Sequence, residues 1–335
     1  MNNLAASACV FMNSTVMNGM VSSGRRWICV VLLAAAPIVW AQAPLLKPGE
    51  DGGAMFRSDT RLVVCHTTVL DKTGHFVTDL PQSAFTVSEN GVRQQMRSFL
   101  REDVPVALGL VIDNSASMMP RRAQVEAASL AMVEASNHQD EVFVVNFNDE
   151  VYVDMPPGVD FTHDLKVLQQ ALKRIDSRGG TAMRDAIQKS MDHLKLAHQD
   201  KKVLVVITDG DDNYSAATEE ELIKSAQQSG VLIYSIGLLA EEEPKAAHHA
   251  KRYLEELAQA TGAAAFFAND VTEVDRLAHQ VAQDIRNQYI IQYTPANQVM
   301  DGKFRTIKIS VKPGGVTVRT RPGYWATAEP AAVRK

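Results

Sequence analysis

Residues 106–118 read Val106-Ala107-Leu108-Gly109-Leu110-Val111-Ile112-Asp113-Asn114-Ser115-Ala116-Ser117-Met118. The run to Ile112 has the length and near-continuous apolarity of a strand buried on both faces. Directly after Ile112 the chain enters a tight polar loop in which Asp113, Ser115 and Ser117 alternate. A carboxylate and two hydroxyls presented together are oxygen donors of the kind a hard cation such as Mg²⁺ requires.

Working outward, β-branched runs alternate with amphipathic helical patterns in a regular way. Buried strands are expected at Val106 to Ile112, Val142 to Phe147, Lys202 to Thr208, Val231 to Leu238 and, more weakly, Ala263 to Phe267. Helices are expected at Arg121 to Ser136, Asp164 to Ile175, Met183 to Ala197, Thr218 to Gln228, His248 to Ala260 and Val271 to Arg286. Thr218 with Glu221 makes a capping box at one of those starts. The alternation predicts an α/β fold with a doubly wound, mostly parallel sheet, covered by helices on both faces. In such sheets a site forms where the carboxyl ends of the strands meet a topological switch point. Two more loops carry matching oxygen donors there: Gly179-Gly180-Thr181 ahead of a helix, and Thr208-Asp209-Gly210 at the end of a strand.

The set Asp113, Ser115 and Ser117, then Thr181, then Asp209, in that chain order, resembles the von Willebrand factor type A domain. That family's metal-ion-dependent adhesion site uses a D-x-S-x-S loop, a threonine from a second loop and an aspartate from a third. D-x-S-x-S alone is a weak pattern; its specificity comes from the strand before Asp113, the glycines before Thr181 and the strand before Asp209. The plainer reading of the first loop is that Asp113 and the serines cap the next helix. The resemblance implies that the serines and the threonine ligate directly, while the aspartates act through waters or hydrogen bonds. It further implies a bound Mg²⁺, with Mn²⁺ or Ca²⁺ as substitutes, and a protein partner whose Asp or Glu carboxylate fills an open coordination position. Asp211 and Asp212, just beyond, either form a solvated acidic turn or support the site.

The flanks differ from the α/β block. Short strand-like stretches at Arg61 to Leu70, Phe76 to Val77, Phe85 to Glu89 and Gln94 to Leu100 are separated by the turns Asp71-Lys72-Thr73-Gly74 and Glu89-Asn90-Gly91. Together with Tyr289 to Thr294, Asp301 to Arg305 and Arg321 to Tyr324, they are similar to the leader and closing segments of the type A-related proteins common in Acidobacteria. The expected organisation is a β-rich flank over 57–103, the type A domain over 104–287, and a C-terminal β-rich flank over 288–325 with a tail to 335. The two flanks are expected to pair into a small β-sandwich, since the tail strands would otherwise leave an exposed edge.

At the start of the chain, Arg25 and Arg26 precede an apolar run from Trp27 to Trp40. This is a signal-peptide layout over 1–41, with cleavage after Ala41 or, less suitably, after Ala43, which would leave Pro44 first. The apolar core of about 14 residues is short against the roughly 20 of a spanning helix, so no membrane span is expected after cleavage. The stretch ahead of Arg25 is long for such a signal, and Met17 or Met20 would give an ordinary one. Residues 42–56 read as a flexible lead-in. These features imply an exported protein, periplasmic or extracellular.

Cys9 and Cys29 fall in the segment expected to be removed, leaving Cys65 alone and an internal disulfide out of reach. Val63, Cys65, Thr67 and Val69 share one strand face, so Cys65 reads as a packing residue. A net charge of −5 in 335 residues, without a basic cluster, argues against nucleic acid. Enzymatic motifs are also missing: no phosphate-cradling G-x-x-x-x-G-K-[ST], no G-x-S-x-G elbow, no H-E-x-x-H. A haloacid-dehalogenase phosphatase would need an acid where Ser115 stands. His248 and His249 point to different helix faces, His193 and His198 have the wrong spacing for zinc, and all read as surface residues. Glu241 to Glu243 read as a solvated acidic loop near the metal end. The expected function is metal-dependent protein binding without catalysis; the alternatives are a metal-dependent hydrolase that uses the open position for water, or a type A fold with a purely structural metal.

Overall fold

A computed structural model describes residues 62–101, 103–173, 177–312 and 314–327. The signal segment and lead-in read from the sequence lie outside the described residues. The first flank supplies β1 (Val63–Leu70), β2 (Phe85–Glu89), β3 (Val92–Gln94) and β4 (Met96–Leu100). The α/β block opens with β5 (Val106–Asp113), α1 (Arg122–Glu134), β6 (Glu141–Phe147), β7 (Val151–Val153), α2 (Leu165–Leu172) and α3 (Met183–His193). It continues with β8 (Lys201–Thr208), α4 (Glu219–Ser229), β9 (Leu232–Gly237), α5 (Pro244–Thr261), β10 (Ala265–Phe267) and α6 (Val274–Arg286). The second flank adds β11 (Tyr289–Tyr293), β12 (Phe304–Val311), β13 (Thr317–Arg319) and β14 (Gly323–Trp325).

Every residue of β5 is buried, as a central strand covered on both faces requires. The six-stranded sheet runs β10-β9-β8-β5-β6-β7, parallel except for β7. One apolar layer packs Val106, Leu108, Leu110 and Ile112 with α1 and α6; the other packs Ala107 and Val111 with α3, α4 and α5. Strand order departs from β5 toward β6 and β7, then returns to β8 on its other side. The switch point is therefore the crevice between the ends of β5 and β8.

Helix ends obey the local chemistry. Thr218 and Glu221 form the reciprocal capping box ahead of α4, and Gly230 closes that helix in the left-handed region at φ 71°. α5 begins at Pro244, earlier than the periodicity suggests, because Glu243 caps it by accepting hydrogen bonds from the backbone N–H groups of Lys245 and Ala246. Glu243 is thus a helix cap rather than part of a solvated loop.

The flanks form two four-stranded sheets, β13-β1-β11-β4 and β14-β12-β2-β3. β1 pairs with β11 and β13, and β12 pairs with β2, so each sheet interleaves both ends of the chain. Their shared core holds Cys65, Val69, Phe85, Val87, Tyr289, Ile291, Tyr293 and Ile309. Cys65 is a free, fully buried thiol whose burial pushes its pKa up to about 12, which keeps it an unreactive packing residue. Buried Glu89 accepts hydrogen bonds from the Tyr293 and Tyr324 hydroxyls at 2.8 and 2.9 Å. The β2–β3 hairpin turns on Asn90 and Gly91 with φ of 47° and 80°, the left-handed pair of a type I′ turn.

One expected strand is two. Gln94 to Leu100 divides at Gln95, with β3 in one sheet and β4 in the other. The sequence reading also passes over β7, a three-residue edge strand.

Candidate metal centre

Asp113 is the last residue of β5 and is fully buried beside the end of β8. Thr208, ending β8, donates its hydroxyl proton to Asp113 Oδ2 at 2.6 Å, and the Ser115 N–H donates to Asp113 Oδ1 at 2.7 Å. The second bond curls the loop back on itself, as a short acidic side chain does when it accepts from the backbone two residues on. Burial pushes the Asp113 carboxyl up to about 6, against these two hydrogen bonds.

The curl sets the two serine hydroxyls side by side, with Oγ atoms 3.1 Å apart. Ser117 in turn donates to Asp209 Oδ1 at 2.9 Å, joining the loop after β5 to the loop after β8. Burial also raises the pKa of Asp209, against the Ser117 hydrogen bond and the nearby Arg121 charge. Four of the five predicted residues therefore form one hydrogen-bonded chain, Asp113 through Ser115 and Ser117 to Asp209.

Thr181 lies on a loop that borders this crest. It shares no hydrogen bond with the other four among the described residues, and its own loop is tied to both neighbours through the backbone. Arg178 N–H donates to the Asn114 carbonyl at 3.2 Å, and Ala182 N–H donates to the Asn148 carbonyl at 2.6 Å. Thr181 N–H donates to Asn213 Oδ1 at 3.0 Å, linking it to the loop after β8. The two glycines ahead of Thr181 have steric reasons to be there. Gly179 has a φ of +71°, and a Cβ on it would stand 2.5 Å from Asp149 Oδ1; one on Gly180 would stand 2.7 Å from Asn213 Oδ1.

Several neighbours escaped the sequence reading. Arg121 donates through Nη1 to Asp209 Oδ2 at 2.6 Å and to the Ser117 carbonyl at 2.9 Å. The carbonyl contact spans four residues, a helical spacing, but the aspartate lies 88 residues along the chain and gives no local signal. Asn114, beside the serines, is buried, and its side-chain amide has no hydrogen-bond partner among the described residues. Asp212 corrects the solvated-turn reading of Asp211 and Asp212. Its side chain is 1% exposed, pairs with Arg184 at 3.2 Å and accepts from the Ser215 hydroxyl at 2.7 Å. It fastens this loop to the start of α3. Asp211 is partnered as well, by His249 Nδ1 at 3.0 Å, so that histidine is a loop contact rather than a bare surface residue.

The donor set fits a hard divalent cation. It consists of two carboxylates and two hydroxyls joined by hydrogen bonds at the switch point, with the Thr181 hydroxyl on the adjoining loop, and every donor is oxygen. Among the described residues no group of three His, Cys, Asp or Glu side chains is placed to hold a metal.

A doubly wound domain with this oxygen-lined crest between its first and fourth strands defines a recognisable class of α/β proteins. A family model for the von Willebrand factor type A domain matches residues 108–280, 173 of the 335 residues, and the chain belongs to that family. Curated protein sequences give no match. Among solved structures the chain is similar to an aerotolerance-related membrane protein from Bacteroides fragilis, at 17% identity, covering 54% of this chain and 98% of that one, with a TM-score of 0.43. It is similar also to the vWF domain of the type V pili tip protein Mfa5 from Porphyromonas gingivalis (15% identity, 55% and 95% covered, TM-score 0.45). A third is proximal thread matrix protein 1 from the mussel byssus, described with a zinc-occupied MIDAS motif (15% identity, 56% and 49% covered, TM-score 0.44).

Proposed function

We propose that this chain is an exported, metal-dependent protein-binding module. In this reading Asp113, Ser115, Ser117, Thr181 and Asp209 hold one Mg²⁺, or Mn²⁺ in its place, and the ion binds a carboxylate of a protein partner outside the cytoplasm. The supporting observation is the oxygen chain across the switch point, in which Ser117 Oγ lies 3.1 Å from Ser115 Oγ and 2.9 Å from Asp209 Oδ1. Neutral hydroxyls leave a dication short of negative charge, so an outside anionic oxygen is the natural last ligand. An all-oxygen set rich in hydroxyls also favours Mg²⁺ or Mn²⁺ over zinc, whose sites more often draw on nitrogen and sulfur. Export rests on the signal-peptide layout of Arg25, Arg26 and the run from Trp27 to Trp40. Among the described residues no helix is long and apolar enough to cross a membrane.

The test is isothermal titration of Mg²⁺ and Mn²⁺ into chelator-stripped protein and into an Asp113→Ala variant. Saturable binding that the variant loses supports the reading and justifies a pull-down with and without chelator. Heat-silent, non-saturable titrations of the wild type would end it.

A further inference from the structure

Arg121 is an unexpected residue to find at a cation site. Its side chain is 10% exposed, and it holds Asp209, the carboxylate that also accepts from Ser117, through a 2.6 Å ion pair. The same Nη1 nitrogen donates to the Ser117 carbonyl, so the guanidinium is fixed against the loop that carries two of the hydroxyls. A guanidinium placed this way brings a fixed positive charge and a planar fork of donors to the site. Any dication held by the oxygens must share Asp209 with it.

We propose that Arg121 is a tethered counter-ion of the metal centre, one that weakens the bare ion's hold and strengthens the coupling between the ion and an anion from outside. This rests on the metal-binding reading above. The charges in contact give the reasoning. Without metal, the guanidinium offsets the Asp209 charge, which stands beside buried Asp113. With a dication, the ion shares Asp209 with the guanidinium, so the crest carries one positive charge more than it would without Arg121, and an outside carboxylate offsets it. Glu242, whose charge also bears on Asp209, stands next outward against Gly210. Metal and carboxylate then strengthen each other's binding, and by linkage the coupling is the same in both directions. Without Arg121 the loaded centre carries one positive charge fewer, the ion is held more firmly, and the coupling to an anion is weaker.

The experiment titrates Mg²⁺ and Mn²⁺ into stripped wild type, Arg121→Gln, Arg121→Met, Arg121→Lys and Asp113→Ala proteins, in sodium chloride and again in sodium acetate at equal ionic strength. Thermal unfolding of each metal-free protein establishes that it is folded. The expected result is that Gln and Met variants bind the ion at least about tenfold more tightly in chloride, the scale of removing one close unit charge even under aqueous screening. Lys, which keeps the charge, stays near wild type. Acetate tightens metal binding in wild type and Arg121→Lys more than in the neutral variants. Equal affinity of wild type and both neutral variants in chloride overturns the counter-ion role while leaving the metal site intact. Absence of binding in wild type and every Arg121 variant overturns the metal reading itself and this inference with it. If one neutral variant unfolds, the other and the Lys variant still decide.

Discussion

Arg319, on β13, ion-pairs with the Asp284 carboxylate on α6, and Thr68 on β1 donates to that carboxylate's Oδ1 at 2.7 Å. One buried acid of the α/β block thus fastens strands from both ends of the chain. Burial nevertheless raises the Asp284 pKa, which shows how strongly its charge depends on these partners. Replacing Arg319 with Met leaves that charge without its ion-pair partner and is expected to destabilise by about 2–4 kcal/mol, read from urea unfolding. The double variant Arg319→Met, Asp284→Leu should recover much of this. A loss below about 0.5 kcal/mol in the single variant would show the pair contributes little.

Lys201 supplies a pH signature at the same end of the block. Burial, reinforced by the Arg286 charge, pushes its pKa down from the usual 10.5 to about 7, while its ammonium donates to the Ile285 carbonyl. Between those values the unfolded chain binds more protons than the folded one, so stability rises with pH. The penalty is full below about pH 7 and is relieved as pH climbs toward 10.5. Stability measured from about pH 7 to 8.5 should therefore climb in wild type and climb less in Lys201→Met. That window stays below the ordinary thiol value of 9, above which Cys65 acts in the opposite sense. Identical slopes in the two proteins would refute the assignment.

Gly179 is a steric pinch point for the threonine loop. Ala there meets both a left-handed φ of +71° and the Asp149 carboxylate. The expected cost is about 1–2 kcal/mol, with a loss of metal affinity as the loop shifts. Adding Asp149→Ala removes the clash but not the backbone strain, so affinity should return only in part. Full-strength metal binding in Gly179→Ala would mean that the loop's position does not matter to the site.

Thr181→Ala and Ser117→Ala separate two kinds of contribution. Ser117 bridges to Asp209, so its loss should weaken both metal affinity and metal-free stability, the latter by about 1 kcal/mol. The Thr181 hydroxyl has no hydrogen bond among the described residues, so its loss should lower metal affinity about tenfold or more and leave the metal-free unfolding midpoint in place. A shifted midpoint with unchanged affinity in Thr181→Ala would assign that residue to packing alone.

The strand–helix alternation was legible because a covered parallel sheet demands long apolar runs, and β5, β6 and β8 leave little else for such segments to be. The first and third site loops were legible for a related reason: Asp113 and Asp209 directly succeed those runs. Arg121 was not, since its role depends on a loop 88 residues distant. Asp212 was misread because acidic residues after a strand suggest water, and only the fold brings Arg184 to it. Gln94 to Leu100 carried an unbroken strand pattern, and no local property of Gln95 announces a crossing between sheets.

The interleaving of the two flanks governs the order in which this molecule can assemble. Val63 on β1 pairs with Tyr293, 230 positions later, a closure that is entropically expensive for a free chain. Within the α/β block, however, Arg286 reaches Asp103 at 2.8 Å and the Val104 carbonyl at 3.3 Å, so folding of that block draws its two ends together. Hydrogen-exchange labelling during refolding should accordingly find the amides of β5 protected before those of β1. The chain thus behaves as a clasp: its outer layers cannot fasten until the portion they enclose has already taken shape.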